Sequence, residues 1–166
     1  QGVWEIIPAA AGERYRLSAD DVGYRVGCSV GLADGQGQLL GLSYFACTAS
    51  AVAVAPATLE AVQAALKAGE SPPLAVSLIL QTGDVRAGLS LTLSKSGVRL
   101  RQGVSGNTLL KDRWRDESGV ALSGTRADAL SLEVKVGVSL PLVVERGKRD
   151  ECAMLVRAFW AMAMNG

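Results

Sequence analysis

The sequence predicts an α+β protein in which a ββββα unit occurs twice, so that two antiparallel sheets pack with two helices. Short segments alternate apolar with polar or small residues, which is the period of a half-buried strand. Two longer segments instead carry apolar residues at helical spacing, one in mid-chain and one at the end. The 166 residues fit a single domain. We assign 1–70 to the first unit and 71–166 to the second.

The first unit opens with strand-like segments. Residues 3–7 form a short apolar-rich run, and 24–32 alternate strictly between apolar and small or polar residues. Asp34 and Gly35 then favour a turn, because both residue types tolerate unusual backbone angles. Residues 39–47 are the predicted returning strand, and 51–55 either continue it or form another.

The first helix is predicted to begin at Pro56. A proline in the first helical turn lacks only an N–H that would be unpaired in any case. Leu59, Val62 and Leu66 follow at helical spacing. Gly69 is the predicted residue just after the helix end, where a left-handed backbone conformation is common.

The second unit repeats this order of elements. Strands are predicted over 74–80, 89–93 and 98–104, separated by glycine-containing turns. The polar residues 105–128 are interpreted as a long loop or a ragged hairpin. The clearest alternation in the chain covers 130–138 and predicts one further strand.

The segment 148–165 is the predicted second helix. Its apolar residues occupy more of the circumference than the single stripe of a surface helix. We therefore predict that part of it contacts another subunit, and ordinary core packing is the alternative. The residues assigned to this oligomer contact are Met154, Phe159, Trp160, Met162 and Met164.

The residue types argue against catalysis, metal binding and a membrane span. No histidine is present, which removes the usual general base and the commonest metal ligand. No cofactor, metal site or catalytic residue is therefore predicted, although a lysine or carboxylate base is a minor alternative. The apolar runs are shorter than the roughly 20 residues of a membrane helix. Cys28, Cys47 and Cys152 are predicted to be small buried hydrophobic residues.

Positive charge is concentrated in the second unit. Residues 1–70 contain four Lys or Arg against seven Asp or Glu, whereas 71–166 contain thirteen against nine. Arg99 and Arg101 share a strand face by their spacing, and Arg86 on the preceding strand lies on the same face if the hairpin register brings it across. Cations that follow phosphates, with an aromatic ring that stacks on a base, favour single-stranded nucleic acid. The predicted binding residues are Arg86, Lys95, Arg99, Arg101, Lys111, Arg113, Trp114 and Arg115. A solvated sheet face and a protein-docking surface are the alternatives.

Two segments carry a resemblance to a known family. Residues 51–62 read Ala-Val-Ala-Val-Ala-Pro-Ala-Thr-Leu-Glu-Ala-Val, and residues 140–146 read Leu-Pro-Leu-Val-Val-Glu-Arg before the second helix. With the order of elements, they resemble the Whirly-like fold family. That family includes the plant Whirly single-stranded DNA-binding proteins and the paired mitochondrial guide-RNA-binding proteins of kinetoplastids. Residues 2–6, Gly-Val-Trp-Glu-Ile, replace the Lys-Gly-Lys-Ala-Ala-Leu-like strand of the plant proteins.

The resemblance implies two steeply crossing sheets, tetramers assembled through the helices, and single-stranded RNA or DNA lying across the sheets. We accordingly expect a non-catalytic binder of single-stranded RNA, in preference to DNA. It would act in the mitochondrial matrix as a homo- or hetero-tetramer in RNA processing or editing. The alternative is a structural or assembly subunit of a large mitochondrial complex, such as the mitochondrial ribosome, that docks mainly to protein.

Overall fold

The α+β class, with two antiparallel sheets and two helices, is confirmed by a computed structural model, which describes residues 3–7, 12 and 14–165. Contacts between residues divide the chain into two compact units. We call Leu17–Ala55 the hairpin unit, and Gln1–Arg16 together with Pro56–Gly166 the main unit. This division does not follow the boundary expected at residue 70.

The hairpin unit contains one two-stranded sheet. A short 3-10 turn, Ala19–Asp21, precedes the strands β1 (Gly27–Val30) and β2 (Tyr44–Cys47), which pair antiparallel. Both are shorter than the predicted 24–32 and 39–47. Neither 3–7 nor 51–55 forms a named strand, and only Val52 of the latter makes an isolated bridge, to Val22. An apolar segment therefore does not form a strand unless a neighbouring strand pairs with it.

The described part of the main unit contains both helices and seven strands. Helix α1 is Pro56–Ala68, and Gly69 follows it with a positive φ of 79°, as predicted for a residue after a helix end. Helix α2 is Arg149–Met164. The strands are β3 (Leu74–Ile79), β4 (Val85–Ser94), β5 (Gly97–Gln102), β6 (Thr108–Asp112), β7 (Gly119–Leu122), β8 (Ala129–Lys135) and β9 (Val138–Val144).

The seven strands form one antiparallel sheet in the order β6-β5-β4-β3-β9-β8-β7. Two meanders, β3 to β6 and β7 to β9, are each built from neighbours in sequence. They join where β3 pairs with β9, with Val76 opposite Val144. The sheet thus has β6 and β7 as its two edges.

Three predictions for this region are corrected. The duplication of a ββββα unit is not confirmed, because among the described residues two strands precede α1 and seven follow it. The segment 105–128 is neither a loop nor a hairpin, since it contains β6 and β7, which lie at opposite edges of the sheet. The strand predicted over 130–138 is divided by a turn in which Gly137 has a φ of 73° and Val136 is 77% exposed. The apolar alternation simply continues across that turn, so the pattern could not reveal it.

The core lies between one face of the large sheet and α2, and α1 packs against α2. Leu91, Leu132 and Leu142 on the sheet and Phe159 on the helix are 0% exposed. The sheet and α1 together cover much of the circumference of α2. This explains within one chain why the helix is apolar over so much of its surface.

The residues predicted for an oligomer contact are therefore accounted for differently. Phe159 is fully buried in the core, so its assignment to a subunit contact is wrong. Met154, Trp160 and Met162 are partly buried and pack against the same core. The indole N–H of Trp160 also donates to the backbone carbonyl of Arg115 at 2.8 Å. A subunit contact therefore stays a prediction for these three residues and for Met164, which is 37% exposed.

The three cysteines differ in burial. Cys152 is 1% exposed on α2, as predicted, and burial raises the pKa of its thiol to about 12. Cys28 and Cys47 are exposed on β1 and β2, so the prediction that they are buried is wrong. The two lie on opposite faces of the hairpin, because Cys28 is opposite Ala46 and Cys47 is opposite Gly27.

No helix in the described part of the chain has both the length and the apolar character that crossing a bilayer requires.

Candidate nucleic-acid interface

The face of the large sheet that points away from α2 carries a row of cations on β5. Val98 and Leu100 are 3% and 2% exposed in the core. Because side chains alternate along a strand, Arg99 and Arg101 lie on the opposite, outer face. This confirms that the two arginines share one face of a strand.

Lys111 on β6 adds a third cation to this face. Its Cα is the direct partner of Arg99, and directly paired residues project on the same side of a sheet. We call Arg99, Arg101 and Lys111 the cationic ridge. Like charges directly opposite one another destabilise a sheet. The side chains of the ridge nevertheless form no ion pair with any residue that the structure describes.

Lys95 and Arg113 lie at one end of the ridge. Lys95 is in the exposed turn between β4 and β5. Gly97, at the end of that turn, has a φ of 141°, and a Cβ there would collide with the carbonyl oxygen of Asp112 and the Cα of Arg113. The glycine thus allows the backbone that carries Arg113 to lie against the turn that carries Lys95. Neither cation forms an ion pair within the described residues.

Arg115 differs from these five cations because it has a carboxylate partner. Its guanidinium lies 3.2 Å from Asp112 Oδ1. The pKa of Asp112 is lowered, first by a hydrogen bond from the backbone N–H of Arg113 and then by the side chain of Arg115. Asp112 is opposite Val98, whose side chain is in the core, so this carboxylate does not face the ridge. The charge of Arg115 is partly neutralised away from the outer face.

The predicted stacking role of Trp114 is wrong. The ring is 8% exposed and belongs to the hydrophobic core. Its indole N–H donates to the carbonyl oxygen of Ser94 at 2.7 Å. No face of the ring is free for a base. The sequence Arg-Trp-Arg is compatible with an exposed ring and with a buried one, so it could not predict the burial of Trp114.

The predicted position of Arg86 is also wrong. Its Cα partner is Leu78, which packs against the core, so Arg86 projects on the helix side of the sheet. Its guanidinium donates to Oε1 of Gln102 at 2.7 Å. Gly88, with a φ of 71° in the middle of β4, lies between Arg86 and the regular part of the strand. The β3-β4 register shifts at this irregularity, so it does not bring Arg86 onto the face of the ridge.

A row of hydroxyl groups accompanies the ridge, and sequence reasoning alone missed this pairing. On β4, Ser90 is opposite Arg101 and Thr92 is opposite Arg99. On β6, Thr108 is opposite Arg101 from the other side. These hydroxyls form no hydrogen bond with other side chains in the described ranges. Alternating small polar residues on β4 are visible in the sequence, but the residues that they pair with depend on the strand register.

Arg101 has a more restricted setting than Arg99. The register between β5 and β6 shifts between Leu100 and Arg101, which marks a β-bulge or a related irregularity. The Nε atom of Arg101 is buried and has no hydrogen-bond partner. Bulges redirect side chains and are frequent near functional sites.

No group of three His, Cys, Asp or Glu side chains suitable for a metal ion occurs among the residues that the structure describes.

Comparison with known proteins assigns the chain to no family, because neither a protein-family model nor a curated protein sequence matches it.

Proposed function

We propose that the chain binds single-stranded nucleic acid, RNA in preference to DNA, on the outer face of the large sheet, without catalysing a reaction. One observation carries the proposal. Arg99 faces Lys111 directly, with Arg101 on the same face, and no described carboxylate neutralises the three charges. Such an arrangement costs stability in the free protein. A polyanion laid along the ridge removes the repulsion.

The shape of the surface supports a single strand as the ligand. The major groove of a duplex is read by an inserted helix or a narrow two-stranded ribbon. The cations here lie instead on the face of a seven-stranded sheet. Arg99 and Arg101 are two residues apart on β5, which is roughly 6.6 Å along a strand. A flexible single strand can place successive phosphates along such a row.

The burial of Trp114 defines what kind of binding is proposed. The described ridge presents no aromatic ring, so stacking on bases contributes little. Contacts to phosphates carry no sequence information directly. The proposed binding is therefore weakly selective for sequence and strongly dependent on salt.

The test compares two double variants that remove the same charge. Arg99→Ala with Arg101→Ala should reduce the slope of log affinity against log salt by about 1.4, because each phosphate contact on a single strand contributes roughly 0.7. Arg86→Ala with Arg115→Ala is the control, since one side chain is on the other face and the second is paired with Asp112. Filter-binding titrations with a single-stranded RNA and a DNA of the same sequence measure both slopes. Equal slopes for the two double variants would contradict the proposal.

The Whirly-like resemblance supports the remaining parts of the proposal, namely family membership, the mitochondrial matrix, oligomeric assembly and RNA processing. The large sheet has seven strands, however, rather than the four per unit that the resemblance implies. Crosslinking in cell extract, followed by sequencing of the bound nucleic acid, tests the cellular role directly. Recovery of nuclear or non-mitochondrial transcripts would contradict the proposed location.

A second function, docking to protein, is favoured by the hairpin unit. Leu42, Tyr44 and Leu32 are 92%, 83% and 77% exposed. A two-stranded hairpin is marginally stable by itself in water. We therefore propose, as the alternative, an assembly subunit of a large mitochondrial complex. Light scattering during size-exclusion chromatography distinguishes the two: a soluble species that retains RNA supports nucleic-acid binding, whereas an aggregating chain without RNA affinity supports docking.

A further inference from the structure

The donor groups on the ridge are not equivalent, and Arg101 combines three features that Arg99 lacks. Its Nε is buried without a partner, the β5-β6 register shifts beside it, and it has a hydroxyl residue opposite it on each neighbouring strand, Ser90 and Thr108. Arg99 is instead opposite Thr92 on one side and a second cation, Lys111, on the other. The end of the ridge at Arg101 is therefore richer in directed donors, and the end at Arg99 is richer in charge.

The isolated Nε is the most informative of these features. A buried N–H without an acceptor carries the full desolvation penalty of that group. A guanidinium binds phosphate most strongly when two of its N–H groups engage two oxygens in parallel. An oxyanion held side-on by Nε and one terminal nitrogen would supply the missing acceptor. A point charge such as a lysine ammonium could not form this pair of bonds.

We propose that Arg101 is a phosphate anchor, which holds one phosphate group bidentately with the help of the exposed Thr108 hydroxyl, while Arg99 and Lys111 follow the neighbouring phosphates by charge alone. This inference rests on the proposed nucleic-acid binding and adds how the strand is positioned. One phosphate is fixed at the bulge. The strand then runs along β5 from Arg101 to Arg99, toward Lys95 and Arg113.

The first experiment uses inorganic phosphate as the probe and the full chain as the protein. In ¹⁵N-resolved NMR spectra, the Nε–H signal of Arg101 is assigned by its loss in Arg101→Lys. Phosphate should shift this signal in a saturable way, whereas sodium chloride at the same ionic strength should not. No shift, or the same shift with both salts, overturns the anchor.

The second experiment compares two substitutions that retain charge. Arg101→Lys should weaken binding of a single-stranded RNA by about tenfold, the equivalent of one lost charge-assisted hydrogen bond. Its salt slope should stay close to the native value, because the charge is retained. Arg99→Lys should weaken binding by no more than about twofold if its role is charge alone. Equal losses for the two variants overturn the anchor. Circular dichroism of both variants confirms that each one is folded.

The two proposals fail in different ways. If phosphate shifts the Arg101 signal and the native chain binds no nucleic acid, the anchor stands as an anion site and the proposed function fails. If nucleic acid binds with the expected salt slope while phosphate leaves the Arg101 signal unchanged, the proposed function stands and the anchor fails.

Discussion

The hairpin unit and the main unit use the same sequence pattern with opposite results. Both contain short alternating segments with apolar residues at every second position. In the main unit these residues enter a core, and Leu142 is 0% exposed. In the hairpin unit they remain in solvent, and Leu42 is 92% exposed. Alternation thus marks residues that can be buried, but only strands and helices stacked in layers bury them.

Polar contacts, rather than a core, hold the hairpin unit in its shape. Arg25 Nε donates to the carbonyl oxygen of Thr48 at 2.8 Å. Asp34 Oδ1 accepts two backbone N–H groups, from Gln36 and Gln38, and so closes the turn. Each such contact contributes a small net free energy when it is exposed to water. We infer that the hairpin unit opens at a lower free energy than the main unit.

The largest expected difference is in thiol reactivity. Cys28 and Cys47 are exposed, whereas Cys152 is buried with its pKa raised to about 12. We expect a maleimide at pH 7 to label the first two promptly and Cys152 at least about 1,000-fold more slowly, because labelling requires the main unit to unfold. Mass spectrometry over time measures this. All three should react alike in denaturant, and similar native rates would contradict the difference in burial.

Truncating one leucine in each unit tests how much the burial of its side chain contributes to the free energy of unfolding. Leu142→Ala should lower the free energy of unfolding by about 2–5 kcal/mol, because it leaves a cavity between the sheet and α2. Leu42→Ala should change it by less than about 0.5 kcal/mol, since the side chain is already in solvent. Urea unfolding followed by circular dichroism measures both. A large loss for Leu42→Ala would show that the hairpin unit is covered in solution.

A buried and an exposed hydroxyl group should differ by less in their contribution to the free energy of unfolding. Ser118 is 6% exposed; its Oγ accepts from the N–H of Arg115 and donates to the carbonyl of Val134 at 2.8 Å. Removing it leaves buried polar groups unpaired, so Ser118→Ala should cost about 1–3 kcal/mol. Thr48 Oγ1 accepts from Val26 N–H at an exposed position, and Thr48→Ala should cost about 0.5 kcal/mol or less. The same urea titrations decide, and equal costs would contradict this contrast.

The smallest effect expected is a dependence of the main unit on acid pH. The folded state lowers the pKa of Asp112 below its ordinary value of 3.8. This carboxylate therefore stabilises the fold above about pH 4, and the contribution is lost as pH falls through the folded pKa. Asp112→Asn should lower Tm at pH 7, and the difference from the native chain should shrink toward pH 3. A difference that stays constant with pH would exclude Asp112 as the cause.

Both helices and the strands β3 to β5 were predictable from sequence, whereas β6, β7 and the pairing across the sheet were not. Helix α1 begins at Pro56 as predicted, because proline and glycine restrict the backbone through their own chemistry. The strands β3, β4 and β5 were also predicted, and glycine marks the turns between them. The seven-stranded sheet was not, because the pairing of β3 with β9 joins segments far apart in sequence.

The candidate site shows the same limit. Arg99 and Arg101 were placed on one face because two-residue spacing determines the face of a regular strand. Arg86 was misplaced because the irregularity at Gly88, which has a positive φ, changes the face on which the preceding part of β4 projects its side chains. The pairing of Arg99 with Lys111 depends on a hairpin register that residue types do not specify. Trp114 was misassigned because its burial depends on the packing of the residues that follow β6.

The junction of the two meanders has a consequence for how the chain folds. Every strand pair of the large sheet except β3 with β9 joins neighbours in sequence, so most pairing requires only short loops to close. The chain entropy that is lost in closing a long loop therefore belongs mainly to the pairing of β3 with β9, where Val76 is opposite Val144. We infer that each meander can form before the other and that the step in which the two meet limits the rate of folding.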